Sequence, residues 1–228
     1  MIEDPGLAER LATTARLLHR EGHLNYSGHV SARVVGGLLI HTYDSDRAAV
    51  QAADLLRCDL DGQPIGPSHA RPPLEVFIHA EVYRARPDVH AILHTHSELA
   101  VLFTLAETCL RPMKASAVRW ASGIPVHPDP TLIRTPSQGR QLAETLGPHH
   151  AALLRAHGGV IVAESVEALL VDAVHFDENA RAQLQASMLG GALKPLTPNE
   201  LHALDEATER DRHVAKLWSY YLARENDR

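Results

Sequence analysis

Leu7, Leu11, Ala15 and Leu18 recur at helical spacing ahead of Gly22, which predicts an amphipathic first helix over roughly residues 6–21. Val30–Val35 and Leu38–Thr42 flank Gly36-Gly37 and predict a hairpin whose glycines supply positive φ. The apolar run Ala91-Ile92-Leu93 predicts a strand that carries His94-Thr95-His96 at its end. The stretch Leu153–Val162 predicts an apolar strand, a tight Gly158-Gly159 turn and a second strand. Helix starts are marked by chemistry as well as by period. Pro72-Pro73 predicts proline in a first turn and places Glu75 early on that helix. Ser97 caps a helix directly after the His-x-His strand, an arrangement that favours a small anionic ligand. Thr135-Pro136 starts a helix ending near Gly147, and Ser165 caps a long one running to about Gly190. Thr197-Pro198-Asn199-Glu200 has the spacing of a capping box, and the last helix carries Trp218, Tyr220 and Tyr221. Gly191–Leu196 is a short connection, and no repeat, low-complexity tract or linker interrupts the chain, so residues 1–228 read as one domain.

Two neutral imidazoles on one strand face are half of a metal site, because alternation points His94 and His96 the same way. His157 in the second glycine-rich segment supplies a third ligand, which leaves one coordination position open for chemistry. Glu75 is the natural acid/base partner. Taken singly, His157 suits a satisfied turn histidine and Glu75 a solvated carboxylate in a helix's first turn. The joint pattern changes that balance.

Composition narrows the class further. Of 228 residues, 45% are hydrophobic and 22% charged, enough to bury one α/β core. The net charge of -6, the 4% aromatic content and the lack of any Lys/Arg run exclude a nucleic-acid face. No apolar stretch reaches about 18 residues, so no membrane span is expected. The start Met1-Ile2-Glu3-Asp4-Pro5 lacks a signal-peptide pattern. Cys58 and Cys109 show no paired spacing and are assigned to packing as free thiols, which together suggests a cytoplasmic protein.

The motifs, in order, resemble those of the class II aldolase/adducin family. Gly28-His29-Val30-Ser31-Ala32-Arg33 resembles its early Gly-Asn-x-Ser-x-Arg segment, with histidine for asparagine. Cys58-Asp59-Leu60-Asp61-Gly62 resembles its strand and turn before the catalytic helix. Pro73-Leu74-Glu75, Tyr83–Val89, His94-Thr95-His96 and Leu154-Arg155-Ala156-His157-Gly158 follow in the family's order and approximate spacing. The resemblance implies a central, largely antiparallel sheet flanked by helices in a single α/β domain, assembled as a homotetramer with active sites between subunits. It also implies a divalent metal on His94, His96 and His157, with Glu75 as acid/base. Three imidazoles suit manganese or zinc, with iron or cobalt also compatible. A tyrosine from the neighbouring subunit assists proton transfer in aldolase relatives, a place that Tyr220 or Tyr221 could take; packing of the last helix is the other reading of this pair.

Departures from the sugar-phosphate aldolases bear on substrate. Those enzymes commonly place serines before the glutamate and a Thr-Pro-Thr-Gly-like loop after the second strand; this chain has Pro73-Leu74 and His41-Thr42-Tyr43-Asp44-Ser45. Proline and leucine bring no phosphate donors, and Asp44 repels a dianion. Arg71-Pro72-Pro73-Leu74-Glu75 looks closer to the branch that decarboxylates hydroxylated aromatic or heteroaromatic dicarboxylates. The expected reaction is metal-assisted carbon-carbon cleavage of a small carboxylate. The metal chelates the substrate and stabilises an enolate as carbon dioxide leaves, and Glu75, its pKa raised in a partly dry pocket, protonates the carbanion. Arg71 is expected to pair with a second carboxylate, His29 to face the substrate or make a structural hydrogen bond, and His79 to support from one turn beyond Glu75. Aldol cleavage of an unphosphorylated hydroxy-keto acid or sugar is the alternative chemistry, and a non-catalytic adducin-like interaction module the alternative class.

Overall fold

A computed structural model describes residues 4–66, 70–106 and 108–225. Met1–Glu3, the first residues of the stretch weighed as a leader, lie outside this set. Seven strands run β1 (His29–Val34), β2 (Gly37–His41), β3 (Leu55–Asp59), β4 (Ala91–Thr95), β5 (Val126–His127), β6 (Ala151–Leu154) and β7 (Gly158–Ala163). They form one sheet in the order β3-β2-β1-β4-β7-β6-β5. Every neighbouring pair is antiparallel except β5–β6, so the sheet is largely antiparallel as expected.

Among the described residues seven α-helices accompany it: α1 (Leu7–Arg20), α2 (Val76–Ala85), α3 (Glu98–Leu105), α4 (Pro136–Leu146), α5 (Val166–Met188), α6 (Pro198–Ala207) and α7 (Arg210–Glu225). Strand alternation divides the core in two. Val30, Ala91, Leu93, Leu153 and Ile161 face α1, α3, α5 and α7, whereas Ile40, Ile92, Leu154, Val160 and Val162 face α2 and α4. None of the helices among the described residues is long and apolar enough to cross a membrane.

Capping chemistry sets the helix starts where the sequence marks them. Ser97, Thr135, Ser165 and Thr197 each accept a backbone N–H from three residues on, and the last of these belongs to a complete capping box with Glu200. Glycine pairs behave differently from expectation. The β1–β2 turn is Val35-Gly36, and Gly36 alone has positive φ (75°), since Gly37 already pairs with Val34. Gly37 is small for another reason: a Cβ there would lie 1.9 Å from the Cys58 carbonyl oxygen on β3.

The same correction applies at the second pair. β6 and β7 are joined by Arg155-Ala156-His157, with Leu154 paired to Gly158, so both glycines belong to β7 and not to the turn. A Cβ on Gly158 would lie 2.1 Å from the Thr95 carbonyl oxygen, so glycine is what lets β7 close on the end of β4. Ala156 takes the left-handed conformation instead (φ 56°). Cys58 is buried as assigned, whereas Cys109 is exposed and has no packing role.

Candidate active site

The central strand β4 carries His94 on the α2 face, in register with Ile92, and His96 follows just beyond its end. Alternation brings the two imidazoles together, Nε2 to Nε2 at 2.8 Å. His157 arrives from the β6–β7 turn, its ring centroid 5.0 Å from that of His94 and 5.1 Å from that of His96. Only His94 therefore lies within a strand. Glu75 comes from the start of α2, but not from inside its first turn. It is the N-cap residue (φ -101°, ψ 30°), with the prolines upstream of the helix. Its side chain makes no cap and turns instead to the histidines, Oε2 standing 3.7 Å from His94 Nε2 and 3.5 Å from His157 Nε2. Oε1 accepts the Ile133 backbone N–H at 2.8 Å.

Four potential ligand atoms thus lie within 4.8 Å of one another. The surroundings fit a divalent cation. The Gly159 carbonyl, 3.2 Å from His94 Nδ1, can only accept, which assigns the proton to Nδ1 and leaves the Nε2 lone pair facing His96 and Glu75. Both ring nitrogens of His157 are buried and make no hydrogen bond of good geometry to the described residues, Glu75 Oε2 at 3.5 Å being the neighbour of Nε2. Burial keeps His94 neutral, its pKa well below the usual histidine value, and lowers that of His96, the state in which imidazole ligates metal. Three imidazoles and one carboxylate match a catalytic divalent-metal donor set.

Glu75 departs from expectation. Burial alone would raise its carboxyl, but the neighbouring His157 and the Ile133 N–H favour its charged form and bring it down. It stands ionised at neutral pH.

The other anticipated residues fall in three places. His29 pairs with His94 across β1 and β4, their ring centroids 4.8 Å apart; it is 2% exposed and its Nδ1 meets His79 Nε2 at 2.6 Å. Arg71 is largely exposed, 3.9 Å from Asp44 and lying over the Tyr43 ring. Tyr221 packs into the apolar cluster on the opposite side of the sheet and Tyr220, beside it on α7, is half exposed, so the fold of one subunit does not bring them to the histidines. Sequence reasoning did not find the Ile133 N–H or the Gly159 carbonyl, because backbone groups carry no residue signature. It also assigned no role to Ser31 and Tyr83, which lie behind His79; Tyr83, eight residues after Glu75 and four after His79, offered a periodic signal.

The family model for the class II aldolase and adducin N-terminal domain matches residues 9–184, and the chain belongs to that family. A 3,4-dihydroxyphthalate decarboxylase from Arthrobacter keyseri is 30% identical over 96% of this chain and 94% of its own length. Among solved structures, an aldolase II superfamily protein from Pseudomonas syringae shares the fold (TM-score 0.83, 21% identity, 98% of this chain and 94% of that one). L-fuculose-1-phosphate aldolase from Thermus thermophilus is 27% identical with TM-score 0.69, covering 82% of this chain and 97% of that one.

Proposed function

We propose that the protein is a divalent-metal-dependent lyase that decarboxylates a hydroxylated aromatic or heteroaromatic carboxylate. The observation that carries this reading is the convergence of Glu75, His94, His96 and His157 within 4.8 Å. The similarity to a dihydroxyphthalate decarboxylase over nearly the whole chain supports the substrate class. His94, His96 and His157 would hold the ion, with manganese and zinc as the first candidates. When bound, the ion supplies Lewis-acid stabilisation of negative charge on substrate oxygens.

Glu75 moves the proton. Ionised and fixed by the Ile133 N–H, it takes the proton of a ring hydroxyl and delivers it to the carbon that loses carbon dioxide. The ring oxygen then recovers a proton from water, so one carboxylate is exchanged for one hydrogen. Arg71 offers its planar fork to a second substrate carboxylate, and Tyr220 or Tyr221 reaches the site of a neighbouring subunit in a cytoplasmic homotetramer. Thr42 and Ser45, at the place where the sugar-phosphate enzymes have their hydroxyl-rich loop, have their hydroxyls 2.6 Å apart, one donating to the other. That pairing favours a substrate without phosphate.

The test is carbon dioxide release by metal-loaded protein from hydroxylated phthalates, ortho-hydroxybenzoates and pyridine carboxylates, with Glu75→Gln as control. Release that the variant loses is the expected result. No release from protein of verified metal content would overturn decarboxylation in favour of aldol cleavage.

A further inference from the structure

Behind His94 a series of buried polar side chains runs from α2 into β1. The Tyr83 hydroxyl lies 2.9 Å from Ser31 Oγ, Ser31 Oγ lies 2.6 Å from His79 Nδ1, and His79 Nε2 lies 2.6 Å from His29 Nδ1. All four residues are at most 2% exposed. We propose that this series donates in one direction only, from Tyr83 through Ser31 and His79 to His29, and so holds His29 as the Nε2–H tautomer, an uncharged donor beside His94 for an anionic oxygen of the substrate.

Hydrogen-bond accounting gives the direction. Each neutral imidazole has one N–H, so His79 donates on one side and accepts on the other. If His79 donated to Ser31, two hydroxyl hydrogens would remain for the one Ser31–Tyr83 contact, and that of either Ser31 or Tyr83 would be left without an acceptor among the described residues. A buried donor without a partner is strongly disfavoured. In the other direction each hydrogen inside the series has an acceptor, Tyr83 to Ser31, Ser31 to His79 Nδ1, and His79 Nε2–H to His29 Nδ1, and the one hydrogen left over belongs to the His29 ring beside His94, where the substrate would bind. His29 must then carry its own proton on Nε2, the nitrogen that His79 leaves free.

Charge states agree with this arrangement. Burial takes His79 down to about 3 and His29 well below the usual value, so neither is imidazolium at neutral pH, and burial raises Tyr83 so that it keeps its proton. Register places His29 opposite His94 on one face of the sheet. A neutral N–H there binds an oxyanion without adding positive charge next to the ligating histidines. His29 is thus a specificity-determining group, and Tyr83, Ser31 and His79 are positioning residues.

The role toward substrate rests on the decarboxylase reading; the tautomer does not, and the tests separate them. Long-range proton–nitrogen NMR of metal-free protein labelled at histidine, with signals assigned through His29→Asn and His79→Phe, should show His29 and His79 protonated on Nε2. A proton on Nδ1 of either overturns the proposal whatever the reaction proves to be. Calorimetric binding of salicylate to zinc-loaded protein should weaken at least tenfold in His29→Phe at unchanged zinc content. His29→Asn, whose amide restores a donor, should recover most of it. Equal salicylate affinity in wild type and His29→Phe overturns the recognition role. Nε2 protons on both histidines, together with no decarboxylation of any substrate in the panel, would support the direction of donation while overturning the reaction class.

Discussion

At the residue scale, the site separates a group that moves a proton from groups that hold an ion. Glu75 and the three histidines share one cluster, yet their losses should look different. His94→Ala removes the most constrained ligand, fixed by the Gly159 carbonyl, and is expected to lower bound metal to well under half of wild type by elemental analysis. Glu75→Gln should keep most of the metal while turnover falls by about 100-fold or more. Acidity acts on the same centre. His41 and His79 are neutral in the fold with values of about 3 against an ordinary 6.5, because both are buried. The unfolded chain therefore binds more protons below pH 6.5, so stability is full above that value and declines as pH falls toward 3. The decline should approach about 1.4 kcal/mol per pH unit for each such histidine. Urea midpoints of metal-free protein at pH 7.5 and 5.5 measure it, and equal midpoints would refute neutral burial. His94, His96, His157 and Glu75 were legible in the sequence because their spacing reports strand alternation and ordered motifs. The ionised state of Glu75 was not, because it depends on His157 and Ile133, both far along the chain.

At the scale of elements, caps and the glycines that end helices were read correctly, whereas Gly37 and the Gly158-Gly159 pair were not. Ser97, Thr135, Ser165 and Thr197 act on N–H groups three residues away, so local sequence suffices to place them. Gly37 and Gly158 answer to neighbouring strands, whose approach no local pattern encodes. The three-residue β6–β7 turn went unrecognised for the same reason, since its left-handed position is filled by alanine. Two substitutions follow. Gly158→Ala would force β7 away from Thr95 and should cost about 2 kcal/mol or more in chemical denaturation, with weakened metal binding. Ala156→Gly removes the left-handed strain next to His157 and should stabilise the protein by up to about 1 kcal/mol in chemical denaturation, less than the strain relieved because glycine loosens the unfolded chain.

At the scale of the whole molecule, the two sheet faces divide labour: one carries the chemistry and the other is closed by α1, α3, α5 and α7. Arg210 ties α7 to that closure, bonding Asp172 on α5 at 2.8 Å and Glu164 at 2.5 Å, with Arg119 completing the group. Asp172 is 1% exposed, so removing Arg210 takes away its 2.8 Å partner and leaves a buried carboxylate with Arg119, 3.3 Å away, as its remaining cation. Arg210→Ala should cost about 3 kcal/mol and lower the melting temperature by several degrees while leaving bound metal unchanged. The sheet's place in the middle has a further effect on timing. His94 is carried by β4, fourth of seven strands and paired on both sides, whereas His157 rides on a turn of three residues. Strand centres open only with the global fold, but turns fray on their own. An ion seated between them would come and go at the rate at which that turn lifts, so its residence time would be governed by Arg155-Ala156-His157 and would be nearly indifferent to how stable the sheet itself becomes.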